Sequence, residues 1–467
     1  MKIRVLNQYL NLSFAVLAVV ESIITLLVPI AAEIFVFGRS VGDLLADWRA
    51  MVPQTLFFML WVLLALTAMG LYNSRQRART LGLVLRAGVA HLLALLLVAI
   101  VAYFVPQLRP MPSHLLAWIS LSLLCIMVVR AFEGLLLDED VYKRRVLVYG
   151  AGQRARSLMQ LRRRADQRGF VVVGYMPAPG EQALVDLDKV LNADPGHLLR
   201  IAKDLGVQEI VIAMDDRRRE FPLRELLDCR LSGLEVVDLI SFLERETGRV
   251  HLDVLHPSWI IFAEGFRRDG VRLTTKRVFD IVASMALVLI TWPVILFTML
   301  AIKIEEGLRA PVLYRQRRVG LDGHDFDVLK FRSMRVDAEG DGKARWATGT
   351  DDRVTRVGRF IRKVRIDELP QIFNVLCGHM SFVGPRPERP EFVAQLSESI
   401  PYYVERHCAK PGITGWAQIC YPYGSSEKDS LEKLQYDLYY VKNHSLLFDM
   451  MILLQTVEVV LLGKGGR

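Results

Sequence analysis

Four long apolar segments near the start of the chain restrict it to folds that place helices in a lipid bilayer. They cover roughly residues 12–37, 52–71, 83–105 and 115–137, and each approaches or exceeds the ~20 residues that cross a ~30 Å hydrocarbon core. The rest of the 467 residues has an ordinary globular composition, so a disordered chain or a purely soluble enzyme is excluded. The five cysteines show no CxxC spacing, which argues against a disulfide framework or a structural zinc site. We therefore expect a four-helix transmembrane region over residues 1–137.

Basic residues flank these segments on alternate sides. They are Lys2 and Arg4 before the first segment, Arg75, Arg77 and Arg79 after the second, and Lys143, Arg144 and Arg145 after the fourth. Basic loops stay on the cytoplasmic side of a membrane, so the N-terminus and everything after the fourth helix should be cytoplasmic. The net charge of +9 also favours anionic partners.

Three ionisable residues, Glu21, Glu33 and Arg130, lie in or at the ends of the apolar segments. They could form a polar relay or substrate path. Alternatively, two of them form a buried ion pair while the third reaches the interface. We favour the buried pair, because nothing else nearby indicates transport.

Short β-branched runs alternate with helical stretches over residues 138–270, which predicts a Rossmann-like parallel sheet. The first run is followed by Gly150-Ala151-Gly152 and, three residues later, by Ala155. This GxGxxA pattern is typical of a dinucleotide-binding turn. The acidic residue that would grip a ribose is missing, because residues 176–179 read Met-Pro-Ala-Pro. A turn kept for packing and a bound nucleotide both remain open. We favour packing and expect no cofactor here.

Residues 281–302 form another apolar segment, about 33 Å long as a straight helix and therefore long enough to span. Pro293 in its middle removes a backbone donor, and we expect Trp292 before it to leave helical angles. Basic residues stand on both sides, so both ends should remain cytoplasmic. We predict a re-entrant helix over residues 276–304 that bends at Pro293. The alternative is a kinked fifth span.

Asp367 and Glu368 are adjacent carboxylates in a region rich in basic residues. Neighbours on a helix point about 100° apart, so they cannot share a proton as a facing pair. We expect a helix from Gln371 with Asp367 near its N-cap, where the helix dipole, Arg362 and Arg365 would keep it ionised. An ionised carboxylate can attack phosphorus, and Glu368 suits Mg²⁺. The pair alone could equally be a helix cap.

Several further motifs accompany this pair in the order of one enzyme family. They are KRVFD at 276–280, YRQRRVG at 314–320, KFRSM at 330–334, IDELPQIFNVL at 366–376, SFVGPRPE at 381–388 and KPGITGWAQ at 410–418. With them, residues 276 to about 449 resemble the catalytic domain of the bacterial polyprenyl-phosphate hexose-1-phosphate transferases, also called monotopic phosphoglycosyl transferases. The preceding parts resemble the large members that act in exopolysaccharide, capsule and O-antigen assembly, above all exosortase-associated members.

The resemblance implies a two-step transfer. Asp367 would attack the sugar-bearing phosphate of a UDP-sugar and release UMP, leaving a covalent phosphosugar on the aspartate. Polyprenyl phosphate would then take the phosphosugar. Glu368 would hold Mg²⁺, with Asp437 completing the metal site.

The same resemblance implies that Lys330, Arg332 and Arg386 clamp phosphate oxygens, as ammonium and guanidinium groups do. It also implies a multidomain membrane α/β fold, in which a mainly helical catalytic domain at residues 271–467 faces the cytoplasm at the bacterial inner membrane. The expected partners are a UDP-sugar, polyprenyl (undecaprenyl) phosphate and membrane lipid, with no nucleic acid. A homodimer is one option for the oligomeric state.

Two other functions are alternatives to the transferase. A nucleotide-sugar dehydratase acting at Gly150 would need a Tyr-x-x-x-Lys pair, which residues 439–443 do not supply. A non-enzymatic scaffold for polysaccharide assembly would not need the IDELPQ and KFRSM motifs. The last apolar stretch, residues 448–462, is either an amphipathic helix on the membrane surface or a buried helix of the catalytic domain.

Overall fold

The computed structural model describes residues 2–461 except 6–7, 73–79, 109, 137–142, 162–165, 167–168, 192–194, 217–219, 255–269, 336–352, 422–423 and 425. The basic loop of Arg75, Arg77 and Arg79 lies outside the described residues. The chain divides into two compact units, Met1–Thr247 and Gly248–Arg467.

The first unit begins with an antiparallel hairpin and a helical bundle, and the predicted apolar segments are helical. The elements are β1 (Lys2–Val5), β2 (Gln8–Asn11), α1 (Leu12–Phe35), α2 (Val41–Ala46), α3 (Trp48–Ala68), α4 (Thr80–Phe104) and α5 (Pro112–Leu136). Among the described residues, stretches of α1, α4, α5 and the later helix Gly270–Glu306 are long and apolar enough to cross a membrane. The apolar stretch of α3, Met51–Thr67, is shorter.

Small side chains let the bundle helices approach closely. Ala87, Ala90 and Ala94 recur at helical spacing on α4 and are buried in one core with Val62 and Leu66 of α3. Because alanine side chains are small, the backbones of the two helices can approach closely at this contact, as is typical of helices that associate within lipid.

The buried pair favoured from the sequence is present in the bundle. The Arg130 guanidinium donates to Glu21 through Nε at 2.6 Å and Nη2 at 3.2 Å, and Tyr72 donates its hydroxyl to the same carboxylate. Arg130 also donates to the Leu71 carbonyl at 2.9 Å. Glu33, at the far end of α1, accepts from His114 Nδ1 at 2.6 Å instead. Glu21 and Arg130 therefore form the expected buried pair, whereas Glu33 is 2% exposed and does not reach the interface as expected.

The second part of this unit is a four-stranded parallel sheet, as predicted. Its strands are β3 (Arg144–Tyr149), β4 (Phe170–Met176), β5 (Glu209–Ile212) and β6 (Glu235–Asp238), in the order β4-β3-β5-β6. The helices are α6 (Gln153–Met159), α7 (Leu198–Asp204), α8 (Leu223–Leu231) and α9 (Leu239–Thr247). Residues 146–149 of the central strand β3 are fully buried, as expected for a strand covered on both faces.

The glycine turn after β3 is filled by side chains of the chain itself. Gly150 has φ +118°, and a Cβ there would lie 2.5 Å from the Ala213 carbonyl carbon, so only glycine fits. The Asp215 carboxylate accepts from the amides of residues 153 and 154 at 2.8 and 2.7 Å. Glu181 accepts from the amide of Ala151 at 3.0 Å. Carboxylates thus occupy the amides that a phosphate would use, which supports the packing interpretation.

The second unit contains the long helix and the motif-rich region. Its helices are α10 (Gly270–Glu306), α11 (Arg356–Lys363), α12 (Gln371–Cys377), α13 (Pro390–Ser399), α14 (Trp416–Cys420), α15 (Glu427–Asn443) and α16 (Leu446–Leu461). An antiparallel hairpin joins β7 (Leu313–Val319) to β8 (Asp325–Phe331), and β9 (Ser381–Val383) pairs in parallel with β10 (Gly412–Thr414).

Helix α10 runs without interruption through Pro293, so the expectation that Trp292 leaves helical angles is wrong. A proline removes one hydrogen bond, and the intact turns on either side hold the helix across the gap. The Thr291 hydroxyl donates to the Leu287 carbonyl at 2.7 Å in the turn before the proline. Apolar side chains project from the middle of α10 into the surroundings, including Leu289 at 75% exposure and Phe297 at 70%.

The KRVFD motif fastens the first part of α10 to the rest of the unit. Lys276 forms an ion pair with Asp449 of α16 and donates to the Val383 carbonyl at 3.0 Å. Arg277 donates to the carbonyls of residues 375 and 376 at the end of α12, both at 2.6 Å. Asp280 accepts from the Ser381 hydroxyl at 3.0 Å. These polar residues are therefore structural anchors.

The far end of α10 is fastened in the same unit. The Glu305 carboxylate accepts from the amides of residues 356 and 357, at 2.8 and 2.9 Å, which caps the start of α11. Ile302 lies in a small core with Phe331 and Ile361. Both ends of α10 therefore bind elements of one compact domain.

Helix α16 buries one face in the main core of this unit. Phe448, Asp449 and Ile452 are buried, whereas Leu447 and Met450 are exposed. Of the two interpretations of the last apolar stretch, the described side chains support a buried helix of the catalytic domain.

Candidate active site

The turn between α11 and α12 presents Asp367 and Glu368. Arg365 adopts a left-handed conformation with φ +61°, which redirects the chain after α11 into the 3-10 turn Ile366–Glu368. Helix α12 begins at Gln371 with Pro370 as its N-cap and ends at Gly378 with φ +87°, as predicted. Asp367 therefore lies three residues before the N-cap of α12, near that position as expected but not at it.

Three cations surround the Glu368 carboxylate. Its Oε1 lies 3.7 Å from Lys330 Nζ, 3.5 Å from Arg365 Nη1 and 3.6 Å from Arg386 Nη2. Burial opposes ionisation of Glu368, but Arg386, Lys330 and Arg365 together outweigh it and lower its pKa. Glu368 is thus an ionised carboxylate at physiological pH, and its oxygens can act as ligands for a cation.

Asp367 has a different electrostatic setting. It is 9% exposed, and its Oδ1 is buried without a hydrogen-bond partner among the described residues. Burial and the neighbouring Glu368 charge raise the pKa of Asp367, while Lys330, Arg365 and Arg362 oppose the rise. Desolvation therefore outweighs the basic neighbours in the direction of this shift, and ionisation of Asp367 stays a prediction.

Lys330 is positioned by a side-chain clamp between β8 and α12. The Asn374 side chain accepts from the Leu329 amide at 2.9 Å and donates to the Asp327 carbonyl at 2.7 Å, as a neighbouring strand would. Burial lowers the pKa of Lys330, and the nearby carboxylates of Glu368 and Asp367 oppose that change. The KFRSM and IDELPQIFNVL motifs are thus joined by Asn374.

Two residues predicted for the site lie elsewhere. Arg332 follows the end of β8, where its Nε donates to the Pro311 carbonyl at 3.0 Å. Asp437 is 1% exposed in the middle of α15 and accepts from Arg406 Nη2 at 2.7 Å. The structure therefore unites Asp367, Glu368, Lys330 and Arg386, and places the other two with different partners.

No group of three or more His, Cys, Asp or Glu side chains that could hold a metal ion occurs among the described residues. Any divalent cation here would therefore rely on the Glu368 carboxylate and on oxygens of a bound substrate. Mg²⁺ accepts this kind of site, because it usually takes one or two carboxylates and substrate phosphates and keeps several waters. The unpartnered Oδ1 of Asp367 is a further available oxygen.

Comparison with known proteins identifies the family of the chain. Residues 271–463 match the bacterial sugar transferase family, and residues 67–221 match a CoA-binding domain family. The UDP-glucose:undecaprenyl-phosphate glucose-1-phosphate transferase of Escherichia coli K12 is 36% identical over 358 residues, which are 73% of this chain and 74% of that protein. The chain belongs to the bacterial sugar transferase family. It is a sugar-phosphate transferase of the polyprenyl-phosphate hexose-1-phosphate type.

Two other relatives have different sugars in their names. The UDP-N-acetylgalactosamine-undecaprenyl-phosphate N-acetylgalactosaminephosphotransferase of Aeromonas hydrophila is 42% identical over 244 residues, 52% of this transferase and 56% of that protein. The undecaprenyl-phosphate galactose phosphotransferase of Salmonella typhimurium is 29% identical over 365 residues, 74% of each chain. Similarity to this family therefore leaves the hexose open.

Sequence reasoning missed the part that Arg365 and Arg406 take in this transferase. Arg365 was expected only to influence Asp367, yet its guanidinium lies beside Glu368. Arg406, in the 3-10 turn Val404–Cys408, carried no signal in the sequence, since its partners Arg386 and Asp437 lie 20 and 31 residues away. Only the tertiary contacts reveal it.

Proposed function

We propose that the chain transfers a hexose-1-phosphate from a UDP-sugar to undecaprenyl phosphate through a covalent intermediate on Asp367, releasing UMP. We further propose that this reaction initiates synthesis of an exopolysaccharide or related glycan. The observation that carries the proposal is the meeting of the two carboxylates in the turn between α11 and α12 with Lys330, Arg365 and Arg386. A cationic cradle of this kind suits a diphosphate, whose oxygens guanidinium and ammonium groups bind through charge-assisted hydrogen bonds.

The chemistry takes two displacements at one phosphorus atom. A carboxylate oxygen of Asp367 attacks the sugar-bearing phosphorus, the bond to the bridging oxygen breaks, and UMP leaves with that oxygen. The phosphosugar is then an acyl phosphate on Asp367. A phosphate oxygen of undecaprenyl phosphate attacks the same phosphorus and releases the carboxylate. Partial desolvation of Asp367 favours the first step, since a poorly hydrated carboxylate loses less solvation when it attacks.

We propose Mg²⁺ as the cofactor, held by Glu368 together with substrate oxygens. When bound, it would supply positive charge that offsets the diphosphate. Lys330, Arg365 and Arg386 orient the phosphates around this position.

The placement of α10 supports a re-entrant arrangement in the inner membrane, with the site on the cytoplasmic side. Both ends of α10 are bonded to the same compact unit, Lys276 at one end and Glu305 at the other. A spanning helix would separate these ends by a ~30 Å hydrocarbon core. We propose that α10 bends at Pro293 while its turns stay helical, so that it enters one leaflet and returns, keeps its ends together and buries its exposed apolar middle in lipid, near a lipid-linked acceptor.

The proposal is tested with protein purified in lipid nanodiscs, undecaprenyl phosphate, Mg²⁺ and a panel of UDP-hexoses. We expect release of UMP that Asp367→Asn abolishes and that chelation of Mg²⁺ suppresses. With a UDP-sugar alone, intact-mass spectrometry should show one added hexose phosphate on wild-type protein and none on the variant.

The matched control is Asp325→Asn, because Asp325 pairs with the exposed Arg317 at the tip of the β7–β8 hairpin. This variant should keep wild-type turnover. Undiminished turnover by Asp367→Asn would exclude the nucleophile assignment. Turnover by both variants with no mass adduct would favour direct transfer without a covalent intermediate.

A further inference from the structure

The segment that carries Arg386 has an unusual backbone. Residues 384–388 read Gly-Pro-Arg-Pro-Glu, and each proline lacks an amide donor while restricting the residue before it to extended angles. The Gly384 amide pairs with the Thr414 carbonyl of β10 at 2.9 Å, but Pro385 and Pro387 have no amide with which to continue that pairing. The conformation of the segment therefore depends on what its carbonyl groups bind.

Four successive carbonyls in this segment are each bound by a different donor. They are Pro385 to the Gly412 amide at 3.0 Å, Arg386 to Arg406 Nη2 at 3.0 Å, Pro387 to Arg318 Nη1 at 3.1 Å and Glu388 to the Val319 amide at 2.9 Å. The Arg386 side chain then reaches Glu368 at 3.6 Å. The direction in which the Arg386 guanidinium points therefore depends on the donors that bind the carbonyls of this segment.

Arg406 is the donor that binds the carbonyl of Arg386 itself, and other hydrogen bonds hold the Arg406 side chain in place. It is 5% exposed, donates Nη2 also to Asp437 at 2.7 Å, and donates Nη1 to the Tyr403 hydroxyl at 2.7 Å. Asp437 is 1% exposed. A buried ion pair contributes little net stability compared with apolar residues, so the specific contact that this pair provides is the hydrogen bond from Arg406 to the Arg386 carbonyl.

We propose that Arg406 and Asp437 are positioning residues, which hold the main chain of Arg386 so that its guanidinium faces the substrate phosphates beside Glu368. Asp437 orients Arg406 and takes no part in metal binding. This inference rests on the proposed function, since Arg386 matters here as a phosphate clamp.

A double-mutant cycle separates positioning from general support of the fold. Arg406→Lys keeps the charge beside Asp437 but loses the planar fork that reaches three acceptors. We expect it to raise KM for the UDP-sugar roughly tenfold, the scale of one lost charge-assisted hydrogen bond. In an Arg386→Gln background the same substitution should cost less than twofold, because the residue it positions is gone.

Equal losses in both backgrounds would overturn the proposal, because a residue that only supports the fold costs the same with or without Arg386. Tyr403→Phe is the milder second variant, since it leaves the Arg406–Asp437 pair in place. It should show the same background dependence at smaller size, and an equal loss in both backgrounds would also count against positioning.

Asp437→Asn decides between positioning and metal binding. We expect lower turnover with an unchanged Mg²⁺ concentration for half-maximal activity, whereas loss of a metal ligand would raise that concentration tenfold or more. Such a rise overturns the proposal. Absence of UMP release from the wild type would instead refute the proposed function itself, before any variant is compared.

Discussion

The anchor between Arg277 and α12 yields a prediction of defined size. The Arg277 guanidinium donates two hydrogen bonds of 2.6 Å to the carbonyls of residues 375 and 376 in the last turn of α12, where the Val375 carbonyl also accepts from the Gly378 amide at 3.0 Å. A hydrogen bond from a charged donor contributes about 1.5–3 kcal/mol. Arg277 is half-buried, so the lower figure applies to each bond. Arg277→Ala should therefore lower the free energy of unfolding by about 3 kcal/mol.

For a unit of this size, each kcal/mol shifts the midpoint by about 2–4 °C, so the expected loss is about 6–12 °C. The assay is intrinsic tryptophan fluorescence of purified protein during heating. Arg277→Lys should lose about half as much, because an ammonium cannot bond both carbonyls with the fork geometry of a guanidinium. UMP release should fall in parallel, since α12 follows directly from Asp367 and Glu368.

Arg315→Ala is the matched control, because Arg315 is an exposed arginine on β7 of the same unit. Its midpoint should stay within about 2 °C of the wild type, as is usual for surface substitutions. If Arg277→Ala unfolds at the same temperature as Arg315→Ala, the two bonds contribute no net stability. The KRVFD motif would then require an explanation other than anchoring.

Two further predictions concern buried ionisable side chains. Burial lowers the pKa of His407 to about 4 and that of His251 to about 3, from 6.5, so the unfolded chain binds protons that the folded chain rejects. The free energy of unfolding should be highest above pH 6.5 and should fall as the pH drops towards 4. In thermal unfolding, His407→Gln should reduce that fall by about 3 kcal/mol at most. A pH dependence identical to that of the wild type would contradict the assignment. In the bundle, Arg130→Met strands the Glu21 carboxylate and should cost about 3–5 kcal/mol, whereas the double variant with Glu21→Gln should recover much of it; equal midpoints for both variants would show that the pair is not coupled.

Much of the architecture was predictable because it depends on local patterns. The apolar segments became α1, α3, α4 and α5 with ends within a few residues of those expected, and the β-branched runs became a parallel sheet. Apolar periodicity, length and turn residues act on neighbours along the chain, so they can be read without knowing the tertiary fold. Pro293 shows the limit of this reasoning, since the surrounding helical turns overrode its local preference.

The site was predictable where motif and chemistry coincide. Glu368, Lys330 and Arg386 meet as the family resemblance implied, with Asp367 beside them. Asp437, in contrast, had the right residue type for a metal ligand, yet its partner is Arg406. A carboxylate in a sequence is only a potential ligand, and its neighbours in space determine what it binds.

The tertiary structure alone decided the electrostatic character of the reactive pair. Two adjacent carboxylates surrounded by the same basic residues acquired opposite pKa shifts, upward for Asp367 and downward for Glu368. The difference arises because Asp367 is desolvated with one oxygen lacking a hydrogen-bond partner, whereas Glu368 lies among three cations. Composition and order along the chain specify the charges that are present, but interactions between charges depend on distance and burial, which exist only once the chain has folded.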